Sequence, residues 1–208
     1  MKLAQALPWY GPNRSRVSFD RRSRPVTLSV MSLVLVGYRG CGKTTVGEIL
    51  ARRAKLQLCD TDNLIVAASH LTIGELFARH GEAHFRDLEA IALGQALSVP
   101  NSIISTGGGI VVREQNRDAL RNAGRQVIYL YASPETLHDR ITADEKSPIN
   151  RPRLTSLGGG LDEVRHLLEV RDPLYREVAN LVIDVTLLTP DEIAYAILRG
   201  CEEDGHNG

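Results

Sequence analysis

"VLVGYRGCGKTTVGEIL", Val34 to Leu50, joins an apolar run to a glycine-rich turn and then to a stretch with helical spacing. Within it, Gly37-Tyr38-Arg39-Gly40-Cys41-Gly42-Lys43-Thr44 matches G-x-x-x-x-G-K-S/T, with the strand before it and the helix after it that the motif requires. The glycines let backbone N–H groups turn inward around phosphate oxygens, and the helix that follows contributes the positive end of its dipole. Lys43 is placed to reach the terminal phosphates and the Thr44 hydroxyl to ligate Mg²⁺. The stretch therefore identifies a magnesium–nucleotide donor and leaves the acceptor open. Cys41 reads as a small loop residue, although a neighbouring lysine and a helix N-terminus are conditions that depress a thiol pKa.

Outward from this loop, short apolar runs recur at Leu33 to Val36, Leu56 to Cys59, Ile103 to Ser105, Val127 to Tyr131 and Leu181 to Val185. Between and after them lie helical patterns at Thr44 to Ala54, Asp62 to Ser69, Thr72 to Arg79, Glu82 to Leu97, Glu114 to Asn122, Pro134 to Thr142, Leu161 to Val178 and Pro190 to Leu198. Thr72 with Glu75, Ser133 before Pro134, and Thr189-Pro190-Asp191-Glu192 are helix start signals. Strands that alternate with helices predict a mainly parallel sheet covered on both faces, with ligands at the carboxyl ends of the strands.

Composition narrows the partners. The 208 residues carry 25 basic and 25 acidic side chains, so the long-range field of a nucleic-acid or anionic-membrane binder is missing. Residues 1–30 form a basic arm, with six Lys and Arg against Asp20 alone, containing Pro8, Gly11, Pro12 and Pro25 and without periodicity. It reads as disordered, as an over-extended start before Met31, or as an acid-poor targeting segment. The domain itself is expected over residues 31–200, with a polar tail at 201–208. Cys41, Cys59 and Cys201 are too few and too dispersed for a disulfide framework or a thiolate metal site, which suits the reducing cytoplasm. No apolar run is long enough to predict a membrane span.

Several further clusters bear on the acceptor. Asp60-Thr61-Asp62 follows the second strand, so both carboxylates are expected near the phosphate site. Asp60 suits Mg²⁺, directly or through water; Asp62 suits the proton of an attacking hydroxyl, or alternatively the cap of the next helix. Arg86 and Glu89, three apart on a helix, would alone be an ordinary surface ion pair. Gly107-Gly108-Gly109 closes a strand where the backbone must turn or approach a ligand. Arg140, Arg151, Arg153 and Arg171 gather around a Pro-, Gly- and charge-rich segment, Ala143 to Gly160, that is long enough to be a lid, and arginine forks suit phosphate and carboxylate. His70, His80 and His84 show no metal-ligand spacing.

In their order, "GYRGCGKTTVG", "DTD", "FRDLEA", "STGGG", "NRPRL" and "LEVRDPLYREVA" resemble the shikimate kinases over about Leu33 to Leu198. The resemblance implies a three-layer α/β/α P-loop kinase with a five-stranded parallel sheet in the order 2-3-1-4-5 and a mobile lid at about 143–156. It implies Mg-ATP-dependent phosphorylation of the 3-hydroxyl of shikimate, on the route to aromatic amino acids, by a cytoplasmic monomer without nucleic-acid or membrane partners. By position, Gly40, Cys41, Gly42, Lys43, Thr44, Thr45, Arg140 and Arg151 look like the ATP site, with Arg140 against the base and Arg151 in the lid. Thr44 and Asp60 resemble the magnesium residues. Asp62, Arg86, Gly107, Gly108, Gly109 and Arg171 resemble the shikimate site, Lys43, Asp62 and Arg151 carry the catalysis, and Glu89 would orient Arg86 while Phe85 packs beside the ring.

The chain departs from the family pattern in its longer Arg140–Arg151 stretch, in Arg153, and in Leu187 and Leu188 near the expected adenine site. Two alternatives share the phosphate loop: another small-metabolite kinase, such as a gluconate kinase, and a non-catalytic nucleotide or substrate sensor. The first lacks a need for the Asp62, Arg86 and Arg171 set; the second lacks a need for Lys43, Thr44, Asp60, Asp62 and Arg151 together.

Overall fold

A computed structural model describes residues 32–144 and 160–204. The arm over residues 1–30, the lid beyond Asp144, with Arg151 and Arg153, and residues 205–208 lie outside the described residues.

Five strands, β1 (Leu33–Val36), β2 (Gln57–Asp60), β3 (Ser102–Ser105), β4 (Gln126–Tyr131) and β5 (Leu181–Asp184), form one parallel sheet in the order β2-β3-β1-β4-β5. Every residue of β1 is buried, because the strand sits centrally with β3 on one side and β4 on the other. Its side chains alternate between two cores. Leu33 and Leu35 join Ile128 and Leu130 of β4 on one face; Val34 and Val36 join Val127 and Tyr129 on the other. Strands buried on both sides have no reason to alternate polar with apolar, which is why they read as continuous apolar runs.

The helices are α1 (Lys43–Ala54), α2 (Thr61–Ser69), α3 (Ile73–Ser98), α4 (Glu114–Arg121), α5 (Pro134–Ala143), α6 (Leu161–Val178) and α7 (Pro190–Asp204). Val46, Ile49 and Leu50 of α1 and Ile193 and Ile197 of α7 cover the first face; Leu93 of α3, Leu120 of α4, and Tyr175 and Val178 of α6 cover the second. A third cluster, Ile65, Ile73, Leu76, Phe85 and Ala92, knits α2 to α3 beside the sheet. Full burial of a Leu or Ile side chain is worth about 1.5–3 kcal/mol, so these faces hold the layers together.

The expected start signals act as caps. Thr72 and Glu75 form a reciprocal capping box, Ser133 accepts from the Thr136 N–H, and the Thr189 hydroxyl accepts from the Glu192 N–H while Glu192 accepts from the Thr189 N–H. Two helices differ from the sequence reading by more than a single residue at an end. The segments Thr72 to Arg79 and Glu82 to Leu97 run as one element, broken only by the non-helical Gly81, and α7 continues past Leu198 to Asp204.

Candidate active site

The site lies at the carboxyl ends of β1, β2 and β3, where the chain leaves the sheet through the phosphate loop, through Asp60 to Asp62, and through Thr106 to Gly109. Gly42, with φ 94°, adopts the left-handed conformation that begins α1 at the end of the loop. Lys43 is buried, and its ammonium donates to the carbonyls of Gly37 at 2.8 Å and Tyr38 at 2.9 Å, with Cys41 Sγ at 3.5 Å. The lysine thus braces the curl of its own loop. Cys41 is wholly buried, in keeping with a packing residue.

The Thr44 hydroxyl donates to Asp60 Oδ2 at 2.9 Å and lies 3.3 Å from the Ser105 hydroxyl. The other Asp60 oxygen accepts from the Asp62 and Asn63 N–H groups, so Asp60 is the N-cap of α2. That assignment removes the capping alternative for Asp62. Thr44, Asp60 and Ser105 supply oxygens only, the donor type a hard cation takes, and one carboxylate beside a phosphate site is how Mg²⁺ is commonly held. A broad cleft of about 730 Å³ is lined by the loop, Thr44, Thr45, Asp60, Asp62 and Arg140. Arg140 donates to the carbonyls of Val185 at 2.9 Å and Thr186 at 3.5 Å, which fixes its guanidinium at the far end of the cleft. Leu188 also lines the cleft, whereas Leu187 is 83% exposed.

A second, narrower cavity opens beside the cleft and is lined by Asp62, Arg86, Glu89, the three glycines and Arg171, with Phe77 and Phe85 as an apolar wall. Arg86 and Glu89 are not the surface pair that their spacing alone suggests: they are 6% and 1% exposed, and Nη1 donates to Glu89 Oε2 at 2.5 Å. Glu82 holds the rest of the guanidinium from Nε at 3.2 Å and Nη2 at 2.8 Å. Burial alone would lower the Arg86 pKa, yet the charges and hydrogen bonds of Glu89 and Glu82 hold it above the ordinary value. Burial pushes the Glu89 carboxyl above the usual carboxylate range, against the pull of Arg86 and Arg171.

The glycine triplet is needed for close approach. A Cβ on Gly107 would lie 2.6 Å from Asp62 Oδ1 and 2.9 Å from Glu89 Oε1, and one on Gly109 would lie 1.9 Å from Arg86 Nη1. The Gly107 N–H donates to the buried Thr61 hydroxyl at 3.0 Å, tying the triplet to the start of α2. The Gly108 carbonyl accepts from Arg171 Nη1 at 3.3 Å and from the Tyr175 hydroxyl, both on α6. Arg171 also lies over the Tyr38 ring, at 5.8 Å from its centroid. Burial raises the Tyr38 phenol pKa, with the Arg39 and Arg171 charges opposing.

Sequence reading did not select Thr61, Glu82, Ser105, Tyr38, Arg39 or Tyr175. Two signals were available: Arg39 is a charge between loop glycines, and Tyr175 follows Arg171 by four residues and so shares its helix face. His80 and His84 lie next to each other on the exposed side of α3 with their rings tilted, and no metal-ligating cluster of three or more His, Cys, Asp or Glu exists among the described residues. No helix of the described residues is long and apolar enough to cross a membrane.

Comparison with known proteins agrees with this layout. A family model described as shikimate kinase matches residues 39–202. A shikimate kinase 2 of Escherichia fergusonii is 45% identical over 158 residues, 76% of this chain and 84% of the relative. The structure of a shikimate kinase from Acinetobacter baumannii in complex with shikimate superposes with a TM-score of 0.78 at 34% identity, covering 85% of this chain and 95% of that one. A gluconokinase from Sinorhizobium meliloti, at 18% identity and a TM-score of 0.53 over 85% of this chain and 94% of that one, shares the fold alone.

Proposed function

The chain belongs to the shikimate kinase family, and from that premise we propose that it transfers the γ-phosphoryl group of ATP to the 3-hydroxyl of shikimate, giving ADP and shikimate 3-phosphate. The observation that carries the reading is the convergence of Asp62, Arg86, Arg171 and the glycine triplet on one cavity, with Asp62 also facing the nucleotide cleft. A carboxylate-bearing polyol fits such a cavity. The two buried arginines offer planar forks to the carboxylate, and Asp62 with the glycine backbone selects one hydroxyl.

In this reading Asp62 accepts the proton of the attacking hydroxyl, at the border between the two spaces. Glu89 and Glu82 keep the Arg86 fork oriented toward the carboxylate, while the Gly108 carbonyl does the same for Arg171. The phosphate-loop amides from Gly40 to Thr45 cradle the β- and γ-phosphates, Lys43 adds positive charge there, and Arg140 flanks the base. Thr44 and Asp60 would hold Mg²⁺, which when bound neutralises charge on the phosphates. Arg151, outside the described residues, is assigned to the transferring group by its sequence position alone.

A coupled assay with purified chain, Mg-ATP and shikimate tests the function: ADP must form in step with shikimate consumption. Turnover of gluconate or another hydroxylated acid in place of shikimate would overturn it, as would ATP binding without ADP production. Asp62→Asn is expected to retain nucleotide binding and to lose at least about 100-fold in kcat, the loss typical of a positioned acid–base group. Near-normal turnover in that variant would remove Asp62 from the chemistry.

A further inference from the structure

Arg39 is the only charged residue of the phosphate loop besides Lys43, and neither the loop motif nor the acceptor-binding set gives it a task. Among the described residues, only Arg39, Asp62 and Ile73 line both the nucleotide cleft and the acceptor cavity. A phosphoryl group that moves from one to the other must pass between them. Two of the three are charged, and with opposite signs.

We propose that Arg39 is a further catalytic residue, an arginine in cis that donates to the equatorial oxygens of the transferring phosphoryl group; the proposal rests on the shikimate kinase reading above. In the step concerned, the acceptor oxygen forms a bond to the γ-phosphorus and the bond from that phosphorus to the β–γ bridging oxygen breaks. The electron pair leaves with ADP, and the hydroxyl proton passes to Asp62. A carboxylate at the border serves the proton but repels the anionic group in flight. A guanidinium opposite it restores the balance where negative charge is spread over three oxygens.

The geometry gives Arg39 the freedom and the place to do this. Its guanidinium is held by Glu163 of α6, a wholly buried carboxylate, at 3.7 Å, beyond the reach of a tight hydrogen bond. Its Nε–H is buried and has no hydrogen-bond acceptor among the described residues. That nitrogen is enclosed by protein; the part of the side chain that lines the cleft and the cavity, largely desolvated in advance, is what an incoming anion meets. Its backbone is also fixed relative to the acceptor: the Arg39 nitrogen lies 3.1 Å from where a Cβ on Gly108 would stand, so the loop abuts the glycine triplet. The helix that supplies Glu163 is the one that carries Arg171, which ties Arg39 to the element that holds the acceptor.

A purely structural Arg39–Glu163 pair would predict something different: lost thermal stability and weaker ground-state binding, without a selective effect on turnover. The test uses the full chain as wild type, Arg39→Met and Arg39→Lys. Wild-type turnover of shikimate is measured first, since its absence overturns the functional reading rather than the role of Arg39. Arg39→Met is then expected to lose about 100-fold in kcat, the scale of one preorganised charge-stabilising donor, with both KM values changed less than about threefold. Binding of ADP with aluminium fluoride and shikimate, a mimic of the group in transfer, is expected to weaken by the same factor, while binding of ADP with shikimate alone does not. Arg39→Lys keeps a charge beside Glu163 and is expected to lose only about tenfold in kcat, and it carries the test if Arg39→Met does not fold. A kcat within about threefold of wild type, a loss confined to KM for shikimate, or an unweakened fluoride complex each overturns the proposal.

Discussion

Replacing Gly109 with alanine is expected to disable the acceptor site while leaving the nucleotide site intact. The added Cβ would stand 1.9 Å from Arg86 Nη1, 2.6 Å from Cζ and 2.8 Å from Nη2, so the whole guanidinium is in its way. Ordinary contact between such atoms begins near 3.5 Å, so the group must retreat by about 1.5 Å. Retreat is opposed by a 2.5 Å bond to Glu89 and a 2.8 Å bond to Glu82. A shift of that size breaks the first of them. The charge-assisted hydrogen bond lost, whether to Glu89 or to the substrate carboxylate, is worth about 1.5–3 kcal/mol, which corresponds to about a 10- to 150-fold rise in KM for shikimate. Initial rates against shikimate at saturating ATP, and against ATP at saturating shikimate, separate the two sites: only the first KM should move. A KM for shikimate within about twofold of wild type, in a folded variant, would show that Arg86 is not held where a carboxylate needs it.

Gly107→Ala is the counterpart, because its Cβ would press on Asp62 Oδ1 at 2.6 Å rather than on the arginine; kcat is expected to fall by about tenfold or more with a smaller change in KM, measured in the same assay. Tyr175→Phe removes one donor from the Gly108 carbonyl and leaves Arg171 in place, so a loss of about 0.5–1.5 kcal/mol in thermal or denaturant stability is expected together with a several-fold rise in KM for shikimate. The pH dependence follows from Glu89, whose carboxyl lies above the usual range. As pH falls through that raised value Glu89 becomes neutral and releases Arg86, so KM for shikimate should rise before ordinary carboxylates titrate. The sign for stability is opposite: a raised folded pKa contributes stability that is present below the unfolded value and lost as pH rises through the folded one, so this group does not drive acid unfolding. A KM that stays flat down to the unperturbed carboxylate range, with the folded signal constant, would contradict the assignment.

What was legible in the sequence was local. The five strands fall within about one residue of their predicted bounds, most directly for β1, whose burial on both faces makes it an uninterrupted apolar run. The capping boxes at Thr72 and Thr189 are chemistry between residues three apart, and a sequence states that directly. The phosphate loop is likewise self-contained. Arg86 and Glu89 show where such reading stops: their spacing is the same in a surface pair and in a buried clamp, and only the packing of the glycine triplet and α6 over them decides which. Asp60 and Asp62 show it again, because two neighbouring carboxylates can exchange roles, and the N–H groups that Asp60 accepts settle which one caps α2. Tyr175 shares a helix face with Arg171, but the Gly108 carbonyl that both reach is far away in sequence, so the spacing gives the face and not the partner.

The central place of β1 also bears on how the chain assembles in time. The strand that feeds the phosphate loop is among the first described segments to be synthesised, yet its two hydrogen-bonding partners come much later: Leu33 aligns with Ile103 on one side and with Gln126 on the other. Closing such distant pairs is entropically slow, and a parallel sheet offers no hairpin as a shortcut. The loop whose sequence is easiest to recognise is therefore among the last parts to acquire its shape, and a nascent chain that ends before β4 carries the nucleotide motif without a fold to hold it.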